Sequence, residues 1–131
     1  MARGKVGLGR RGETLAVRAL RRHGFAVISR NWYCPHGEVD LVARRNRELY
    51  FIEVRTRRTT MGPTPEESLT ARKLRRMETV ARTWLGTHAH ENVINWHLAF
   101  VAVTMDRGGR LHRITFYPDL DGQPEELVRN P

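Results

Sequence analysis

At 131 residues the chain fits one domain of ordinary size, and 40% hydrophobic residues with 8% aromatics can build a core without covalent staples. The formal charge of +9 exceeds what folding needs and costs self-repulsion, so an anionic partner is expected, nucleic acid before any other. A single cysteine, Cys34, excludes an internal disulfide, and no apolar run is long enough for a signal peptide or a membrane span. A cytoplasmic protein with no membrane partner is therefore expected.

The basic residues cluster. Before position 31 the only acid is Glu13, set among Arg3, Lys5, Arg10, Arg11, Arg18, Arg21, Arg22 and Arg30. Residues 1–9, with Gly4, Gly7 and Gly9, read as a flexible basic arm. From about Arg11 to His23 the residues Leu15, Ala16, Ala19 and Leu20 share one face of a helix, and Gly24 is placed to cap it. Phe25 to Arg30 reads as a short strand, and 31–37, with Pro35, as a connection.

Gly37 to Arg44 and Glu48 to Thr56 are the best strands. Both are rich in Val, Leu, Ile, Tyr and Phe, with Asn46-Arg47 as the turn between them. Their apolar residues fall on both faces, so the sheet should be covered on both sides. Gly62, Pro63 and Pro65 mark a loop over 61–65.

The strongest helix follows, with Thr70 as its N-cap, Leu74, Met77, Val80, Ala81, Trp84 and Leu85 as its apolar stripe, and Gly86 past its end. Arg72, Arg75, Arg76 and Arg82 occupy the opposite face. A long strand over 94–105, a turn at 106–109 and a last strand over 110–117 complete an expected order α-β-β-β-α-β-β, with 10–117 as the domain and 118–131 as an irregular tail.

The hairpin yields a geometric expectation. With Asn46-Arg47 as a two-residue loop, Arg45 faces Glu48, Asp40 falls directly opposite Glu53, and Glu38 falls opposite Arg55. Directly opposed residues share a face with Cβ atoms roughly 5 Å apart, so these four would form one polar square. Two facing carboxylates in a half-buried pair need compensation: a proton on one of them, a cation between them, or a divalent metal. The plainer alternative leaves Asp40 and Glu53 as solvated edge residues, with Glu38 and Arg55 as a cross-strand ion pair.

These residues also carry a resemblance. Gly12-Glu13, Asn31, the run Gly37-Glu38-Val39-Asp40-Leu41-Val42-Ala43, the run Phe51-Ile52-Glu53-Val54-Arg55-Thr56-Arg57, and Lys73 resemble the YraN family of predicted bacterial endonucleases. That family is similar to the Holliday-junction resolvases of the PD-(D/E)XK superfamily. The resemblance implies a restriction-endonuclease-like α/β domain, a three-layer arrangement with a central mixed sheet flanked by helices. It implies Mg²⁺ or Mn²⁺ held by Asp40, Glu53 and the Val54 carbonyl, with Glu13 assisting from the first helix. DNA is expected in preference to RNA, with branched or structured DNA among the candidate substrates, and the same analogy makes a homodimer an option.

Position 55 departs from the pattern, because the fold's usual catalytic lysine is an arginine here. Arginine stays protonated and can stabilise charge but cannot readily act as a base. Three outcomes stay open: Arg55 acts electrostatically, Lys73 takes over from the second helix, or catalysis is lost and the domain only binds. Lys73 as a plain phosphate contact near a helix N-terminus is the competing reading of that residue. Asn95-Trp96-His97 stands where an arginine–aromatic–aspartate signature would be expected.

Arg10, Arg11, Arg57, Arg58, Arg72, Lys73 and Arg76 are the candidate phosphate contacts. Trp32 and Tyr33 are candidates for stacking on an exposed base, whereas Trp84 on the apolar stripe reads as core. The six histidines lack metal-site spacing, so no structural zinc is expected. The leading expectation is a Mg²⁺-dependent endonuclease with Glu13, Asp40, Glu53, Arg55 and Lys73 at its centre. The alternatives are a catalytically silent nucleic-acid-binding module and a basic partner of a ribonucleoprotein.

Overall fold

The computed structural model describes residues 6–58, 69–88, 95–119 and 122–130, with side chains from position 9 onward; the expected loop at 61–65 lies outside these residues. In chain order the elements are α1 (Val6–Arg22), β1 (Ala26–Cys34), β2 (Gly37–Arg45), β3 (Glu48–Arg58), α2 (Ala71–Thr87), β4 (Asn95–Met105), β5 (Leu111–Tyr117) and β6 (Glu125–Arg129). The strands form one six-stranded sheet in sequence order. Only β3 and β4 run parallel, and α2 lies in the crossover that a parallel pair requires.

The two helices cover opposite faces. On one side Ala16 and Leu20 of α1 pack with Leu41, Ile52, Val101, Val103, Ile114 and Phe116. On the other, Val80, Ala81 and Trp84 of α2 pack with Val39, Val42, Leu49 and Phe51, and Met77 packs with Leu69 and Phe100. This is the expected three-layer restriction-endonuclease-like α/β architecture, with the sheet buried on both faces as its doubly apolar strands required. Trp84 is core, its indole N–H donating to Ser29 Oγ at 3.1 Å. Thr70 caps α2 as expected, accepting the Lys73 amide at 3.2 Å. No helix among the described residues is long and apolar enough to cross a membrane.

Four local expectations need correction. The first helix begins at Val6, more than a turn before Arg11, so 6–9 are not part of an arm; glycine lowers helix propensity without forbidding the turn. The second helix runs through Gly86 to Thr87. The first strand does not stop at Arg30 but continues to Cys34, because Asn31 takes a left-handed φ of 51° and turns the strand without ending it.

The stretch after 118 is not wholly irregular, since Glu125–Arg129 adds β6 antiparallel to β5. A long-range clamp anchors it: Arg45 donates to both Glu125 oxygens at 3.0 and 2.8 Å while its guanidinium sits 4.1 Å over the Phe25 ring.

Candidate functional site

The β2–β3 hairpin has the expected register. Arg45 faces Glu48, and the pairing runs through Arg44–Leu49 to Leu41–Ile52. Asn46, with a φ of 59°, supplies the left-handed residue that a tight two-residue turn needs. Beyond Leu41 and Ile52 the strands part. β2 stays paired to β1 as far as Gly37, whereas β3 stays paired to β4 as far as Arg58. The Asp40–Glu53 and Glu38–Arg55 oppositions are therefore not ladder pairs, and the flat polar square is replaced by a fork. A small cleft opens in it, lined by Glu38, Val39, Phe51, Ile52, Glu53 and Met77.

Asp40 is turned into this fork by a kink shared between two strands. Arg30 pairs with Leu41 and Trp32 with Val39, which leaves Asn31 across from Asp40. Val39 and Trp32 pack on the α2 side, whereas Leu41 packs on the α1 side, so the in–out alternation reverses at Asp40. Its carboxylate then accepts the Val54 amide N–H across the gap at 2.8 Å. Asn31 is the residue whose structural role the sequence did not disclose, although it stands among the residues that carry the family resemblance. Asn31→Gly should leave this arrangement intact, because glycine adopts positive φ without strain. Asn31→Val should cost about 1–3 kcal/mol in chemical denaturation and shift the Val54 amide resonance.

Burial and like charge converge on Asp40. Desolvation first and the neighbouring Glu53 second raise its pKa from 3.8 to about 7; Glu13 and Glu38 push the same way, against the Val54 hydrogen bond. Glu53, whose side chain is 15% exposed, is held differently. Lys73 Nζ lies 2.8 Å from its Oε2. Arg55 Nε lies 3.0 Å from the same oxygen, at ion-pair distance without hydrogen-bond alignment. Lys73 thus reaches the site from the first turn of α2 while its own amide is fixed by the Thr70 cap.

Gly12 explains how α1 delivers Glu13. A Cβ at Gly12 would stand 1.8 Å from Thr56 Oγ1 and 3.1 Å from Thr56 Cβ, so α1 touches β3 here with no room for a side chain. Alanine normally favours a helix over glycine. Gly12→Ala should instead destabilise by about 1–3 kcal/mol in urea unfolding, with a smaller penalty in a Thr56→Ala background. A more stable Gly12→Ala protein would contradict the close approach.

A divalent cation, which the fold family implies, can be tested against these donors. Asp40 Oδ2 is committed to Val54 and Glu53 Oε2 to its two cations, which leaves Asp40 Oδ1 and Glu53 Oε1 without protein partners among the described residues. No group of three or more His, Cys, Asp or Glu side chains among the described residues is placed to cage a metal. Two carboxylates beside a phosphate fit Mg²⁺, which keeps several waters and takes one or two carboxylates. Glu13 is within electrostatic reach of Asp40 without joining such a group.

The match to known proteins covers this same region. The model of the uncharacterised protein family UPF0102 matches residues 12–114. The chain belongs to the UPF0102 family. It is the family to which the YraN resemblance pointed. A UPF0102 protein of Beutenbergia cavernae is 42% identical over 108 residues, 82% of this chain and 90% of that one. One from Kineococcus radiotolerans is 40% identical over 107 residues, covering 82% and 88% of the two chains. One from Acidothermus cellulolyticus is 40% identical over 130 residues, covering 98% and 95%. The family match begins at Gly12, the residue that seats α1 on β3, and it ends before β6.

The basic candidates of this UPF0102 chain fall into two groups. Arg72 and Arg76 are exposed on α2 around Lys73, and the stem of Arg76 packs over Gly37 at the start of β2. Arg57 and Arg58 end β3 beyond Arg55, and Arg10 and Arg11 are exposed on α1 just before Glu13. Both groups lie on segments that border the fork. Asn95 and His97 do not: both bond Glu48 at the opposite end of β3, and His97 stacks on Tyr50. His97, at the position where the signature's acid would be expected, braces the hairpin end of the sheet. Trp32 is partly buried against the α2-side core, edge-on to His88.

Proposed function

We propose that this UPF0102 protein is a Mg²⁺-dependent endonuclease acting on DNA, branched or structured DNA included. The observation that carries the reading is the fork itself. Asp40 and Glu53 come together where two strands part, with Lys73 on Glu53 and arginines on the bordering segments. Mg²⁺, when bound there, would polarise the scissile phosphate and lower the pKa of the attacking water.

The chain's own residues supply the rest. Asp40 and Glu53 would hold the cation through Oδ1 and Oε1, each fixed by the bonds its other oxygen makes. Lys73 and Arg55 bring positive charge to the edge of the carboxylates, where charge on a phosphate undergoing attack is stabilised. Arg72, Arg76, Arg10, Arg11, Arg57 and Arg58 would neutralise flanking phosphates, so binding should weaken steeply with salt. Of the three outcomes open for position 55, the Lys73–Glu53 contact favours takeover by Lys73.

One observation favours a second reading, a silent binding module. Lys73 and Arg55 both neutralise Glu53, as they would at a site that uses no cation. Cleavage of labelled linear, flap and four-way-junction DNA with Mg²⁺ or Mn²⁺ separates the two. Metal-dependent cuts lost in Asp40→Asn are the expected result, and binding without mutant-sensitive cutting would leave only the module.

A further inference from the structure

Among the described residues two large hydrophobic side chains are exposed, Ile28 and Tyr33, and Tyr33 is the more open at 65%. Both lie on β1, the edge strand of the sheet. An exposed tyrosine on an edge strand is ordinary by β-propensity alone, so its position has to decide. Trp32 and Cys34, the neighbours of Tyr33, pack into the α2-side core, so Tyr33 projects from the other side of the strand. Its register partner is Glu38, which lines the cleft in the fork together with Glu53.

Cross-strand partners hold their Cβ atoms roughly 5 Å apart, and two residues along β2 span about 7 Å. Tyr33 is therefore directly across from Glu38 and within roughly 10 Å of Asp40 along β2, at the end of the hairpin where the fork opens. On the same strand Arg30 is exposed, and Arg76 flanks the Gly37 end of the pair from α2. A ring beside an exposed arginine, paired across the strands with a residue that lines the cleft, suits a base face more than an apolar protein surface.

Resting on the nuclease reading above, we infer that Tyr33 is a stacking platform for an unpaired base of the strand whose phosphate occupies the fork. The substrate class follows from geometry. Within a paired duplex both faces of every internal base are covered by stacking, so away from a duplex end a protein ring reaches one only where a base is single-stranded or extruded. The site should then prefer DNA with a single-stranded extension or displaced base next to the scissile phosphate over continuous duplex.

The test is fluorescence anisotropy of the full chain without divalent metal, on a blunt duplex and on the same duplex with a single-stranded DNA extension. 2-Aminopurine at the junction reports stacking. Wild type and Tyr33→Phe should bind the extended DNA more tightly and quench the probe. Tyr33→Ala should lose about 5- to 150-fold on the extended DNA, keep its duplex affinity and leave the probe unquenched. Matching melting curves show that the variants are folded.

Tyr33→Ala that binds and quenches like wild type would overturn the inference, as would a wild type with no preference for the extension. Tighter Tyr33-dependent binding of an RNA extension would overturn the assignment to DNA. The nuclease reading fails separately: its failure is metal-dependent cutting that Asp40→Asn leaves intact, or no cutting at all despite Tyr33-dependent binding.

Discussion

Asp40→Asn should cut metal-dependent cleavage by at least about 10²–10³-fold and, at pH 8, melt at a higher temperature than wild type. The loss of turnover follows from removing one of two carboxylates with an oxygen open to a cation, while DNA affinity, carried by the arginines, stays close to wild type. The gain in stability follows from the position of Asp40. Its pKa is about 7 in the folded protein against 3.8 for an unperturbed aspartate, chiefly because burial removes water and because Glu53 is near. Between those values the folded state holds one more proton than the unfolded state, so this residue's contribution to stability is full at low pH and is lost as pH rises.

The cumulative loss by pH 8 is at most about 4–5 kcal/mol, since each unit of pH in that window counts for about 1.4 kcal/mol. Asparagine keeps an oxygen for the Val54 amide and carries no charge. The variant should therefore show a flat melting profile from pH 5 to 8, where wild type slopes downward. Mg²⁺ should raise the wild-type melting temperature at pH 8 and leave the variant unmoved. A wild-type profile as flat as that of Asp40→Asn, unaffected by Mg²⁺, would remove both the buried charge and the cation from the account.

The legible parts of this molecule were those fixed by neighbours in sequence. Asn46-Arg47 sets a two-residue turn, the turn sets the register, and the register alone brings Asp40 and Glu53 to the same end of the hairpin. The apolar stripe of α2 and the Thr70 cap are local in the same sense. What escaped depends on distant partners. β6 is short, follows Pro124, and is anchored by an Arg45–Glu125 pair that no local pattern announces. The strand divergence depends on β2 following β1 while β3 follows β4, which pairwise hairpin logic does not contain. Asn31 misled for a related reason: the preference that makes asparagine a turn-former is used here to reverse a strand's faces opposite Asp40. The motif residues themselves were readable as a set, and their individual tasks were not.

Lys73→Met should lower the cleavage rate by about 10²–10³-fold, the usual cost of removing one preorganised electrostatic contact, while Arg55→Met should cost less. The ranking comes from geometry. Lys73 Nζ is 2.8 Å from Glu53 Oε2 with its side chain 23% exposed, whereas Arg55 is 40% exposed and misaligned for a hydrogen bond to that oxygen. Charge in the drier position is screened less and counts for more. Stability should change little in either variant, because Glu53 keeps one cation when the other is removed. Lys73→Arg then separates two kinds of help. If the fork needs only a fixed positive charge, arginine at 73 should restore most of the rate, since Arg55 already shows that a guanidinium can reach Glu53. If a proton must leave or arrive at position 73, arginine should fail as badly as methionine, because it stays charged. Full activity in Lys73→Met with none in Arg55→Met would reverse the assignment and return the role to position 55.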